Sequence, residues 1–266
     1  MNNKIPKIIH YCWFGGNPLP EDAKKYIESW KKYCPDYEII EWNEENFDVN
    51  CNDYVKEAYN AKKWAFVSDY ARLYALVNYG GIYMDTDVEV IKSLDSFLKH
   101  DAFSGFETDT SIPTGIMGCK KNFELFKEFL DYYNDKHFLL ENGEYNLVTN
   151  VATMTKICEK YNLNKNNEYQ EIKGFVLYPK DYFCPKDHET GVINLTENTF
   201  TIHHFAGSWL TSYDKNVLSI ERIFIRIFGK KIGVPLTRIL TFPYKIIYKI
   251  KKKRLFKDIK NKLKRS

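Results

Sequence analysis

Ser68, Asp69 and Arg72, followed across a double glycine by Asp85 and Asp87, are the residues whose types and spacing could do chemistry together. They lie in the run AFVSDYARLYALVNYGGIYMDTDVEVI, residues 65–91. At 100° per residue the first three fall within roughly a 100° arc of one helix, and Phe66, Val67, Tyr70, Leu73, Tyr74 and Val77 cover the rest. A helix with so apolar a surround is buried, so its polar arc must meet something polar. Gly80 and Gly81 supply the positive-φ stop, and Ile82-Tyr83-Met84 reads as a buried strand carrying Asp85 and Asp87 to its end. Alternation along an extended chain puts the two aspartates on one side and Thr86 on the other. Two crowded carboxylates repel each other, and a hard divalent cation with oxygen ligands relieves that repulsion. A solvated turn explains an isolated Asp-x-Asp, and an intrahelical ion pair explains an isolated Ser-Asp-x-x-Arg. Their fixed separation through Gly-Gly and an aromatic strand points to a site instead.

The elements around this core read as an α/β domain. Lys7–Phe14 (KIIHYCWF) is an apolar, β-favouring run ending at Gly15-Gly16 and a proline-bearing loop. Ligands of such folds bind at the carboxyl ends of strands, where Trp13 could stack a base; a packed core tryptophan is the other reading. Ala23, Tyr26, Ile27, Trp30 and Tyr33 recur at helical spacing, Tyr37–Trp42 is a second strand, and Tyr54–Ala61 a short helix. Val88–Ile91, Ala102–Glu107 and Phe175–Tyr178 read as further strands, Asn122–Tyr133 and Leu147–Tyr161 as helices. Ser111–Gly118 reads as a glycine-rich loop. A second chemical cluster follows in TFTIHHFAGSW, residues 199–209, a β run bringing His203 and His204 to its end. Adjacent strand residues face opposite ways, so one of the two histidines is expected at a metal.

Composition divides the chain. Residues 1–214 hold 22 Lys+Arg against 33 Asp+Glu, whereas residues 215–266 hold 17 against 2. The expected organisation is a domain over 1–214 and a basic amphipathic tail over 215–266. Apolar residues interleaved in that tail predict docking on an anionic membrane surface rather than nucleic-acid binding, for which no motif is present. The six cysteines are scattered without a C-x-x-C pair, which excludes a zinc framework or disulfide scaffold and suits a reducing compartment. No uninterrupted run of ~18 apolar residues occurs, and the first residues lack a long apolar segment. The expectation is a cytoplasmic protein, peripheral on the inner face of a bacterial membrane.

The run SDYARLYALVNYGGIYMDTDVEV resembles the core of the Asp-x-Asp glycosyltransferases of family 32, and Ile9, His10, Trp13, Gly15 and Gly16 are similar to an I-H-x-x-W-x-G-G segment of related toxin domains. The resemblance implies a GT-A-like fold, a Rossmann-like mixed sheet flanked by helices, with retention of anomeric configuration. It implies a nucleotide-diphospho-sugar donor, UDP-hexose, and Mn²⁺ or Mg²⁺. Trp13 would stack the uracil, Tyr83 would lie near the ribose, and Ser68, Asp69 and Arg72 would hold the sugar and diphosphate. Asp87 would ligate the metal together with His204, whose H-x-x-G setting matches through Gly207, and Asp85 would touch the ribose and the metal shell. Ser208 and Trp209 would close over the diphosphate, and His10 would be structural. Asp69, Arg72, Asp85 and Asp87 are thus the expected catalytic set. The acceptor would be a saccharide or lipid-linked oligosaccharide of capsule or O-antigen assembly. A protein-modifying toxin-like transferase and a non-catalytic sugar-nucleotide or metal-binding module are the rival readings.

Overall fold

The computed structural model describes residues 4–207 and 210–263, with side chains up to residue 248. It separates into two compact units, one of Met1–Lys186 with Ile193–Ala206, the other of Asp187–Val192 with Gly207–Ser266.

The first unit begins with β1 (Ile8–Cys12), α1 (Glu21–Tyr33) and β2 (Glu38–Trp42), then α2 (Asp53–Asn60), α3 (Trp64–Tyr79), β3 (Gly81–Met84) and β4 (Val88–Val90). It continues with β5 (Ala102–Gly105), β6 (Ile116–Cys119), α4 (Glu124–Asp131), α5 (Asn150–Glu159), β7 (Gln170–Ile172), β8 (Phe175–Tyr178) and β9 (Thr201–His203). Seven strands form a mixed sheet in the order β2-β1-β3-β6-β5-β8-β7, while β4 and β9 pair antiparallel in a ribbon of their own. The α/β architecture expected from the sequence is therefore present, with β1 parallel to both β2 and β3.

Alternation along the strands divides the core into two layers. On one face Ile9, Tyr11, Ile82, Met84 and Phe103 pack with Trp30 of α1. On the other, Cys12, Tyr83 and Met117 pack with Val67, Ala71 and Leu76 of α3 and Phe126 and Phe129 of α4. The Ser111–Gly118 segment departs from its reading as a loop. Its last part is β6, lying between β3 and β5 and antiparallel to both. Gly118 belongs there because a Cβ would come within 2.5 Å of the Phe103 ring. At Gly81, φ is +106° and a Cβ would lie 2.7 Å from the Ile8 carbonyl oxygen, so only glycine lets β3 approach β1 from the end of α3.

His10 pins this junction, as expected of a structural residue. It is fully buried; its Nε2 donates to the Gly80 carbonyl at 2.8 Å and its Nδ1 accepts from the Trp42 indole at 3.1 Å. That pairing fixes the neutral Nε2–H tautomer. Burial pulls the imidazole down to about 4, against the smaller upward pull of the Gly80 bond. A histidine lowered in the folded state leaves stability intact above the unfolded value near 6.5, and that stability drains as pH falls towards 4. The shift corresponds to about 3 kcal/mol. Urea melts at pH 7 and 4.5 should show a drop smaller by about 2 kcal/mol in His10→Gln than in the wild type; equal drops would show that His10 does not carry the dependence.

The second unit contains α6 (Ser212–Phe228) and α7 (Lys230–Leu263), joined at Gly229 with φ +73°. Thr211 and Asp214 form a reciprocal capping box at the start of α6. The helices pack closely: a Cβ on Gly233 would lie 2.7 Å from the Ile225 nitrogen, and Tyr213 stacks on Tyr248 at 4.8 Å. The compositional break at residue 215 falls inside α6. Among the described residues no helix is long and apolar enough to cross a membrane.

Candidate active site

α3 delivers the first group of side chains. Ser68 bonds back to the Trp64 carbonyl at 3.1 Å, while Asp69 and Arg72 are buried. The Arg72 guanidinium lies 3.2 Å from Asp69 and 3.3 Å from Asp85, and also donates to the Thr114 carbonyl at 2.8 Å. It rests 4.7 Å from the centre of the Tyr83 ring. Arg72 thus locks the helix to the Asp-x-Asp, spending most of its donors inside the protein. Asp69 is pushed up to about 6 by burial, with Arg72 pulling it back and Asp85 pushing it further up. Asn150, the first residue of α5, supports the same turn by donating to the Asp69 carbonyl at 3.0 Å.

Asp85 and Asp87 stand in a turn rather than on an extended strand. β3 ends at Met84, and the Val88 amide closes the turn on the Asp85 carbonyl at 3.0 Å. The carboxylates still share one side because each has one oxygen tied. Asp85 Oδ1 accepts from the Tyr83 hydroxyl at 2.8 Å and faces Arg72, while Asp87 Oδ2 accepts from the Ala206 amide at 2.7 Å. The Gly115 carbonyl fixes the Asp85 backbone at 2.8 Å. Tyr83 is 1% exposed and holds Asp85 from beneath through its hydroxyl. β3 is buried along its whole length.

The histidine that joins these aspartates is His203. Asp85, Asp87 and His203 offer ligand atoms all within 4.8 Å of one another, with His203 Nε2 3.3 Å from Asp87 Oδ1. His204, expected in that place, is turned away. Its Nε2 meets Glu89 at 2.8 Å, its ring stacks on Tyr26 at 4.5 Å, and its amide donates to the Asp87 carbonyl at 2.9 Å. The reason is register: β4 and β9 pair Val88 with His203, so His203 points to the aspartates and its neighbour to the opposite face. Burial opposes charge on both partners, yet each holds the other ionised. His203 brings Asp87 down to about 2, and Asp87 raises His203 well above the usual imidazole value.

Glu107, just beyond β5, was not among the sequence candidates. Its Oε1 lies 3.9 Å from His203 Nδ1, and burial, followed by the Asp85 and Asp87 charges, outweighs His203 and pushes its carboxyl up. An acid immediately after a buried strand was the signal available. Asp109, by contrast, pairs with Lys180 on the surface at 2.9 Å. The donor set of two carboxylates and an imidazole, with two further acids nearby and a single buried arginine, fits a divalent cation of the Mn²⁺ or Mg²⁺ kind.

Beyond β1, Trp13 lines a cleft of about 860 Å³ with Gly15, Gly16, Asn43, Tyr59 and Trp64. Its indole donates to the Asn17 carbonyl at 2.5 Å, which orients the ring at the carboxyl ends of β1 and β2. Ser208 and Trp209 lie outside the described residues.

Residues 20–104 match the model of the glycosyltransferase sugar-binding region containing a DXD motif. An uncharacterised glycosyltransferase of Acanthamoeba polyphaga mimivirus is 28% identical over 196 residues, 69% of this chain and 76% of that protein. Inositol phosphoceramide mannosyltransferase 3 of Schizosaccharomyces pombe is 31% identical over 125 residues, 44% of this chain and 34% of the yeast protein. The chain thus spans about a third of that relative, and 55% of inositol phosphoceramide mannosyltransferase 2 from the same yeast. Among solved structures, PaToxG glycosyltransferase is similar at a TM-score of 0.44 and 19% identity, covering 59% of this chain and 69% of that one. A glycosyltransferase involved in glycosylation of the major capsid of PBCV-1 is similar at 0.42 and 15%, covering 76% and 95%. Asp85 and Asp87, gathered beside Arg72 and His203, lie inside the matched region, so residues 20–104 of this chain are similar to the DXD-containing sugar-binding region of glycosyltransferases.

Proposed function

We propose that this enzyme moves a hexosyl group from a nucleotide-diphospho-sugar, UDP-hexose, to a hydroxyl of a saccharide acceptor, using a divalent cation. The convergence of Asp85, Asp87 and His203 at the carboxyl end of β3 carries this reading. When bound there, a cation supplies neutralisation of the charge that develops on the departing nucleoside diphosphate. Trp13 offers its face to the base, and Asp69 offers a carboxylate that Arg72 holds in place against the sugar hydroxyls. Transfer breaks the bond from the anomeric carbon to the diphosphate oxygen and makes one to the acceptor oxygen. The acceptor proton leaves on the diphosphate, so retention needs no enzyme nucleophile.

The experiment is nucleotide release by the purified protein from UDP-hexoses, their N-acetyl forms and GDP-mannose, with Mn²⁺ or with EDTA. GDP-mannose belongs in the panel because the yeast relatives are named as mannosyltransferases. Release from one donor that EDTA abolishes is the expected result. Failure of every donor to bind or turn over would remove the reading.

The second unit suits an acceptor presented on a membrane, such as a lipid-linked oligosaccharide of a bacterial surface polysaccharide. Ile223, Ile227, Ile232, Ile239 and Phe242 are exposed on its helices, in a segment whose basic residues outnumber acidic ones 17 to 2. Apolar insertion and attraction to anionic headgroups act together on such a surface. Flotation with phosphatidylglycerol-containing vesicles should carry the protein at low salt and lose it on neutral phosphatidylcholine. Equal behaviour on both lipids would contradict the charge component.

A further inference from the structure

The imidazole of His203 is nine-tenths buried, and only one of its nitrogens faces the aspartates. The other, Nδ1, is buried without a hydrogen-bond partner. The nearest carboxylate to it is Glu107, 3.9 Å away, on a side chain that is 17% exposed. The ring has little room to turn from this position. A Cβ on Gly115 would lie 2.7 Å from its Cε1 and 3.0 Å from its Nδ1, so the backbone at Gly115 is in contact with the ring edge.

An imidazole that gives the Nε2 lone pair to a cation must carry its proton on Nδ1, and that N–H needs an acceptor. We propose that Glu107 is the positioning residue of this centre: it accepts the Nδ1–H of His203 and thereby fixes the tautomer and ring plane with which Nε2 meets the cation. The gap closes by a shift of about 1 Å in the glutamate side chain. The assignment rests on the reading of Asp85, Asp87 and His203 as the metal site. The other polar group acting on the ring is the Cys184 thiol, a weak acceptor that provides the competing explanation.

Two measurements decide between them. In calorimetric titration with Mn²⁺, Glu107→Leu should weaken binding roughly 10–100-fold, Glu107→Gln less because its carbonyl still accepts, and Cys184→Ala by less than about threefold. In histidine ¹⁵N spectra of the Mg²⁺-loaded wild type, His203 should be protonated at Nδ1 alone, a readout that does not depend on any variant folding. Unchanged Mn²⁺ affinity in Glu107→Leu, a large loss in Cys184→Ala, or an Nε2-protonated ring in the loaded protein would each overturn the role of Glu107. If the wild type binds neither ion, the metal site itself is lost and this assignment with it. Binding that depends on Asp87 but not on Glu107 overturns the positioning role alone.

Discussion

Replacing Arg72 by methionine is expected to destabilise the protein by about 3–5 kcal/mol at neutral pH, the usual result of removing one partner from a buried ion pair. The side chain is 6% exposed and lies within 3.3 Å of both Asp69 and Asp85. Methionine fills similar space above Tyr83, so the change is mainly in charge: both carboxylates lose their buried counterion. The carbonyls of Thr114 and Ser68 lose donors as well. Asp69, already raised to about 6 by burial against the opposing pull of Arg72, must rise further. A carboxyl raised in the folded state penalises folding above its folded value, and the penalty falls away as pH drops towards the unfolded value near 3.9. The destabilisation should therefore shrink between pH 7 and 5. Urea titrations at those two pH values check both magnitude and sign; a loss below about 1 kcal/mol, independent of pH, would mean that Arg72 is not the counterion of this cluster.

The second large effect separates neighbouring histidines. His203→Ala removes one of the three proposed ligands and should weaken Mn²⁺ binding by roughly 100-fold or more, whereas His204→Ala should leave it within about tenfold. The His204 ring is held by Glu89 and Tyr26, away from the aspartates, and its amide, which supports Asp87, survives the substitution. Loss of the stack and the hydrogen bond should appear in thermal stability instead. Titration of both variants with Mn²⁺ tests the assignment, and the reverse order of effects would return the ligand role to His204.

This pair also shows where sequence reasoning stops. Alternation lets one histidine alone face the aspartates, but which one depends on the register of β9 against β4, partners more than a hundred residues apart. The resemblance to family 32 pointed to His204 through its H-x-x-G setting, and the ladder turned it outward. Asp85, Asp87, Asp69 and Arg72 were legible because a helix, a double glycine and a strand place them within one short stretch, where local geometry determines direction. β6 was illegible for the opposite reason. Ile116–Cys119 is four residues long with an internal glycine, and it becomes a central strand only because β3 and β5 lie on either side. The supports given by Thr114 and Gly115 are backbone carbonyls, which residue identity does not announce. Glu107 reaches His203 through β5 and β9 together, and an acid just beyond a strand does not by itself announce that partner.

The most direct test of the central claim is nucleotide release from the preferred donor by the wild type and by Asp87→Asn, each with Mn²⁺ and with EDTA. Asn keeps the side-chain shape and an acceptor for the Ala206 amide while removing the charge that pairs with His203. Metal-dependent release by the wild type and a loss of roughly 10²-fold or more in Asp87→Asn, with the protein still folded, are the expected results. Wild-type release that survives EDTA, or an Asp87→Asn variant that retains it, would contradict the assignment of the Asp-x-Asp turn as the metal-binding centre of the transfer reaction.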